Sequence, residues 1–332
     1  MVRWTLQTTS ALPGMVRMST TSNAVTLDSR ASRMALHPTE FGLAAFRPPH
    51  RQSLQQRRAL WLADLAVRAL VAEAMLTPKP ALVDERGCGA HQDLDLHHML
   101  RSAHALHASF FKMAVCAGGR RPDQALREQL GAIGRTAEQS MLAATNGSNS
   151  HRGAIWCLGL LIAARAMCEA RASAQTVASV GARIAAFTDR SAPLLNSHGH
   201  QVCRTFGVTG AQGEARAGFP HTVQIGLPAL WAARNRGADE RCAQLDALMA
   251  VMSSLDDTCL LYRGGRQALL TAKAGAAEVL ALGGTACTAG GRALLALDTQ
   301  LLALNASPGG SADVLAACLF LDFMEKTEPS GA

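Results

Sequence analysis

Apolar residues recur along this chain at three- and four-residue steps, in segments separated by loops rich in glycine, proline and charge. Over residues 54–75 the series Leu60, Ala63, Val67, Leu70 and Ala74 marks one face of a helix. Over 94–117 the series Leu96, Met99, Ala103, Leu106, Phe110 and Met113 predicts a second. Gly118 and Gly119 end it and Pro122 opens a third over 123–144, the stop and start of a helical hairpin. The apolar run 154–164 predicts a fourth. Further helices are expected over 173–190, 223–235, 239–255, 268–282 and 291–304, and a last one opens at Ser307 and runs to about Glu325. No segment alternates with period two for the length of a strand, and no repeat of fixed period is visible. The pattern predicts an all-α protein, a single helical domain of about ten helices with its polar loops gathered at one end.

Composition supports this. Hydrophobic residues make up 48% of the 332, with Ala and Leu foremost, while aromatics are only 4%, which favours helices over a β-sandwich. The formal charge of +7 raises the question of nucleic acid. However, residues 1–58 carry eight arginines against two acids, so the remainder is close to neutral. Trp4, Trp61, Trp156 and Trp231 are scattered, and no basic helix is interleaved with aromatics, so no nucleic-acid partner is expected of the helical part. No apolar run approaches the roughly twenty residues of a membrane span, so no membrane partner is expected either. Residues 1–53 lack periodicity and are rich in Ser, Thr, Arg and Pro. They are expected to be a disordered tail or, given Met15, Met18 and Met34, an upstream start that is not used, with the folded domain at 54–328. Nine cysteines without a C-x-x-C pair point to a reduced, cytoplasmic protein that uses thiols as small core residues. Cys88, inside a glycine-rich loop, is the exception, either a reactive thiol or an ordinary loop residue.

The densest polar chemistry lies in TPKPALVDERGCGAHQDLD, residues 77–95. Pro78 and Pro80 stop the preceding helix and hold Lys79 on extended backbone. Gly87 and Gly89 can take angles closed to other residues and leave room for a ligand. Asp93 stands where the next period begins, so it could cap that helix or, with Asp84 and Asp95, hold a hard cation. His97, His98, His104 and His107, with Arg101 among them, repeat at helical steps without a cysteine partner, which fits a solvated face better than a zinc site. The loop 146–153 precedes an apolar helix whose free N–H groups would suit an anion, with His151 and Arg152 beside it. Glu214 lies among glycines in 210–220, and Asp256 and Asp257 meet at a helix end where negative charge opposes the dipole.

TPKPALVD followed by GCGAHQDLD resembles the signature of the triphosphoribosyl-dephospho-CoA synthases, which build the prosthetic-group precursor of citrate lyase and malonate decarboxylase. GSNSHRGAIWCLGLL from Gly147, GAQGEARAGFP from Gly210, LDDTCLLYRGG from Leu255 and SPGGSADVLAA from Ser307 are similar to further segments of that family, in family order. Ala81 stands where the family usually has glycine, and Ser150 and Arg152 are conservative departures from its Asn-Thr-His-Lys-Gly. Residues 218–236 and LDDTCLLYRGG look more like the malonate decarboxylase branch.

The resemblance implies a transferase that moves the triphosphoribosyl group of ATP to the 2′-hydroxyl of 3′-dephospho-CoA, releasing adenine, with Mg²⁺ as cofactor. The product would pass to the transferase that loads the acyl carrier protein of malonate decarboxylase. Such a reaction needs cations for the triphosphate, negative charge for an oxocarbenium-like centre, a base for the hydroxyl and a proton for adenine. Inversion at C1′ implies one displacement without a covalent intermediate. On this basis Lys79, Gly87, Gly89, His151, Arg152, Arg263, Gly309, Gly310 and Ser311 are expected at the nucleotide. Asp84, Asp93, Asp257 and Asp313 are expected as metal ligands or their supports. Glu214 is the expected base with Asp84 second, and His91 either protonates adenine or anchors its loop. The alternatives are an Mg²⁺-dependent ADP-ribosyl hydrolase and a non-catalytic nucleotide-binding helical protein.

Overall fold

The computed structural model describes residues 53–192 and 198–327, and these form a helical domain with no strand among the described residues. The expectation for residues 1–53 lies, except for Ser53, outside them. The helices are α1 (Leu54–Met75), α2 (Leu96–Ala105), α3 (His107–Ala117), α4 (Gln124–Ala144), α5 (Arg152–Met167), α6 (Ala174–Ala185), α7 (His198–Phe206), α8 (Gly210–Arg216), α9 (Leu227–Asn235), α10 (Glu240–Ser254), α11 (Thr258–Ala281), α12 (Thr288–Ala303) and α13 (Gly309–Lys326). A π-helical turn, His221–Gly226, runs directly into α9.

Capping explains most of the starts. Ser53 and Gln56 close a capping box on α1, and Asp123, Ser173 and Asp239 each accept a backbone N–H of the helix they precede. α5 is apolar on every side, and from Ala154 to Ala166 only Trp156 escapes full burial, so it must be surrounded. It is surrounded by α1, α3, α4, α6, α8 and α13, which places its polar N-terminus among the loops that carry the candidate chemistry. α10 and α13 are similarly enclosed.

The structure departs from the sequence pattern at several places. The expected helix over 94–117 is two helices: at the wholly buried Leu106 the N–H bonds Ala103 as well as His104, so the turn tightens and the helix restarts. α6 stops at Ala185 instead of 190. The polar segment at 196–200 starts α7 at His198, and the expected loop at 210–220 holds α8. α11 begins ten residues earlier than expected, since Asp257 caps it, and it is kinked at Gly265, whose φ of 62° and ψ of −157° are open to glycine. No described helix is long and apolar enough to cross a membrane.

Candidate functional site

The loop between α1 and α2 is braced by its own carboxylate. Asp84 accepts from the backbone N–H of Lys79 and of Arg86, both at 2.8 Å, and from the Arg86 guanidinium. Four N–H donors therefore saturate the two oxygens, so Asp84 anchors the loop and has no free lone pair aimed at a cation or a hydroxyl. Arg86 also donates to Asp298 of α12 at 2.7 Å, and Asp298 accepts the Ala81 N–H at 2.7 Å. A side chain at Gly89 would collide with the carbonyls of Ala81 and Leu82, so this glycine lets the loop fold against itself instead of making room for a ligand; at Gly87 the space is open. Ala81 itself has a φ of 54°, the left-handed region where the family's usual glycine would sit without strain.

Beneath the loop lies a buried charged cluster. Lys79, 1% exposed, donates to the carboxylate and the carbonyl of Glu73, each at 2.6 Å. Glu73 falls on the apolar stripe of α1, in step with Ala66 and Leu70, and that misplaced acid was a readable signal in the sequence. His151 Nδ1 lies 2.7 Å from Ser102 Oγ, while its Nε2 is buried without a partner. Burial, with Lys79 nearby, lowers the His151 pKa to about 3, so the ring is neutral.

Two helix N-termini expected to hold phosphate are occupied by aspartates. Asp257 accepts from Cys259 N–H at 2.8 Å and also from Ser311 N–H at 2.7 Å and Ser311 Oγ at 2.8 Å, so one carboxylate caps both α11 and α13. Gly309 and Gly310 let this happen, for a side chain at either would press on Cys259 or Asp257. Asp313 lies against the start of α5, where a side chain on Gly153 would be, close enough for the Ala154 N–H to act on its carboxylate. Burial raises the pKa of both aspartates, and for Asp313 the neighbouring Glu73 and Asp257 push it well above the usual range.

At the rim, Arg263 donates to the Ala90 carbonyl at 2.9 Å and to His91 Nδ1 at 3.0 Å. A guanidinium only donates, so His91 Nδ1 accepts and its Nε2–H is directed to Ser307 Oγ, 3.1 Å away. Burial, together with Arg263, lowers the His91 pKa to about 4, which makes the ring a neutral strut between loop, α11 and the approach to α13. Asp93 is exposed, 3.9 Å from His91, and it is Asp95 that caps α2. Among the described residues no group of three or more His, Cys, Asp or Glu is placed to hold a metal, so the four nominated aspartates are not brought into one centre and the histidines of α2 and α3 form no zinc site. His98 and His107 pair with Asp95 and Asp64 instead.

Glu214 is not a lone carboxylate on a flexible loop. It is buried in α8 and accepts the His221 N–H at 2.8 Å, with His221 Nδ1 2.7 Å from its other oxygen. The π-helical turn folds His221 back onto it, an arrangement no spacing rule announces. Glu214 and Asp313 both act on the buried Cys157 of α5, whose thiol is raised mainly by burial and further by these two carboxylates. The dyad and the charged cluster thus flank one stretch of α5. Arg152, at the first position of α5, is part-exposed, donates to Glu138 at 3.1 Å and lines a cleft against α4.

Lys79, His151, Asp257, Asp313 and the Gly309–Ser311 turn are therefore gathered, Arg263 and His91 adjoin them, and Glu214 acts with His221 across α5. Helix ends, buried carboxylates and basic side chains thus converge within one all-α domain. The family model described as CitG, ATP:dephospho-CoA triphosphoribosyl transferase, matches residues 59–331, and the chain belongs to this family. It is 56% identical over 262 residues to a probable 2-(5''-triphosphoribosyl)-3'-dephosphocoenzyme-A synthase of Pseudomonas paraeruginosa, covering 79% of this chain and 89% of that protein. It is 51% identical over 275 residues to the 2-(5''-triphosphoribosyl)-3'-dephosphocoenzyme-A synthase of Klebsiella pneumoniae, covering 83% and 97%. No solved structure matches the chain.

Proposed function

We propose that this chain transfers the 5-triphosphoribosyl group of ATP to the 2′-hydroxyl of 3′-dephospho-CoA and releases adenine. The observation that carries this reading is the family match over residues 59–331. The five motif segments also fall at its converging polar loops and helix ends, where a transferase needs them. The product serves the acyl-carrier-protein-loading transferase of malonate decarboxylase, a branch favoured by residues 218–236 and LDDTCLLYRGG.

The geometry redistributes the roles. His151, with its unpartnered Nε2, and Arg263 and Arg152 at the rim remain the triphosphate contacts, while Lys79 supplies the counter-charge that keeps Glu73 buried. Glu214 orients His221 through Nδ1. A carboxylate only accepts, so Nδ1 carries the hydrogen and the ring presents Nε2 to the 2′-hydroxyl. The residues present do not fit a resident Mg²⁺ cage: Asp84 and Asp257 are saturated by N–H and O–H donors, and no three ligands converge among the described residues. Mg²⁺ accordingly belongs to the substrate triphosphate as its counter-ion.

The deciding experiment is adenine release from ATP and Mg²⁺ with and without 3′-dephospho-CoA. Release that needs the acceptor, with a triphosphoribosyl mass gain on it, supports the transferase; release without acceptor means a hydrolase, and none in either case means a binding protein. Glu214→Gln should keep ATP affinity within about twofold and lower turnover by about 10²-fold or more, the usual range for losing general-base catalysis. Undiminished turnover would remove the dyad from the mechanism.

A further inference from the structure

Between α4 and α5 lies a cleft of about 540 Å³ that none of the roles above uses, apart from Arg152 at its rim. Its volume lies within the range of small-molecule sites. One wall is apolar, made by Met113, Ile155, Trp156 and Leu160; the other carries Arg127, Arg135 and Glu138 of α4, and Glu138 is taken up by Arg152.

The charge on that second wall does not balance. Arg127 is 9% exposed, its guanidinium sits 4.9 Å from the Trp156 ring, and its Nε is buried with no hydrogen-bond partner. Asp189 is the carboxylate set against it, with Arg127 at 3.8 Å and Arg135 at 2.7 Å. Arg216 also lies close enough to act on Arg127. Arg127 and Arg135 thus share one buried carboxylate with Arg216 adding positive charge nearby, and Arg127, which lines the cleft, retains a buried donor without a partner. A buried, unpaired arginine donor is costly unless an anion completes it, and a guanidinium fork matches a phosphate better than a lone point charge does. Gly131 of α4 is closed over by Asp189, whereas Gly134 opens on the cleft. A side chain at Gly134 would meet only the Met113 methyl, at 3.9 Å, so that position borders free volume and not protein.

Position links this cleft to the candidate site. Arg152 reaches into the cleft while its neighbour Gly153 packs against Asp313, so the two sites meet at the first turn of α5. We infer that the cleft is a second nucleotide subsite, in which Arg127 and Arg135 take a di- or triphosphate ester and Trp156 with the apolar wall takes the organic part. The assignment to a nucleotide rests on the transferase reading. The phosphate chemistry has two sources, the triphosphate of ATP and the diphosphate of 3′-dephospho-CoA.

The test is calorimetric titration of ATP, 3′-dephospho-CoA and inorganic tripolyphosphate, each alone, into the whole protein and into Arg135→Gln and Gly134→Leu. The second variant fills the cleft without touching the arginines and has room to fold, which a thermal midpoint near that of the wild type would verify. Both variants should weaken one nucleotide by roughly tenfold or more, the loss expected for a charge-assisted contact, and leave the other within twofold. Loss of ATP alone makes the cleft the donor subsite, and loss of 3′-dephospho-CoA alone makes it the acceptor subsite. Unchanged affinity for both nucleotides in a protein that releases adenine overturns the cleft while the transferase reading stands. Should the wild type release no adenine, the transferase reading falls and tripolyphosphate decides: binding lost in both variants upholds the phosphate site, and no binding, or binding unaffected by the variants, overturns it.

Discussion

At the scale of single residues, the buried histidines give the protein a defined acid sensitivity. His151 titrates near 6.5 in the unfolded chain and at about 3 in the folded one. Between those values the unfolded state holds the extra proton, so stability falls as the pH falls, by up to about 1.4 kcal/mol per pH unit from this residue. Asp313 acts with the opposite sign: its raised pKa contributes stability at low pH that is lost as pH rises through its folded value. The Asp313 contribution is common to wild type and His151→Asn, so their difference isolates the imidazole. Urea midpoints at pH 7, 6 and 5 should fall less steeply in the variant, and parallel slopes would mean that His151 is not held neutral.

At the scale of elements, the structure rests on carboxylates shared between helix ends. Asp257 binds the starts of α11 and α13 together, so Asp257→Ala strips caps from two helices and leaves buried N–H groups without an acceptor. A loss of about 2–4 kcal/mol in unfolding free energy is expected, and a loss below about 1 kcal/mol would show that water replaces the cap. The sequence displayed the long elements well, since α1 carries an apolar stripe along its length, interrupted at Glu73, and its limits match the periodicity from Leu54 to Met75. It concealed α8, which has only seven residues, too few for a period, and is held by Glu214 and its tertiary contacts. It also concealed the destination of each polar group: the helix start after Gly153 was legible as an anion site and the resemblance implied a nucleotide at Gly310, but nothing in their spacing told that the chain's own Asp313 and Asp257 lie there. His221 and Asp298 were missed for the same reason, because their partners come from tertiary contact.

At the scale of the whole molecule, nine thiols remain free and only Cys88 is exposed. The native protein should therefore label first with one equivalent of a maleimide at Cys88, verified by peptide mass mapping, while the five half-buried thiols react more slowly and Cys157, Cys242 and Cys318 react only on unfolding. A Cys88→Ser protein that lacks the fast equivalent and keeps full turnover would make that thiol a loop residue; lost turnover would make it part of the chemistry. The loop that carries Cys88 has a further property. Its fastenings are remote in the chain: Asp298 holds Ala81 across 217 positions, Ser307 holds His91 across 216 and Arg263 holds Ala90 across 173. During synthesis, which proceeds from the N-terminus, α1 through α10 can leave the ribosome while the loop still lacks every one of these anchors. The end of the molecule that carries this loop is accordingly the last part to take shape, and a chain broken off near residue 255 would be mostly helical and yet leave the loop unfastened.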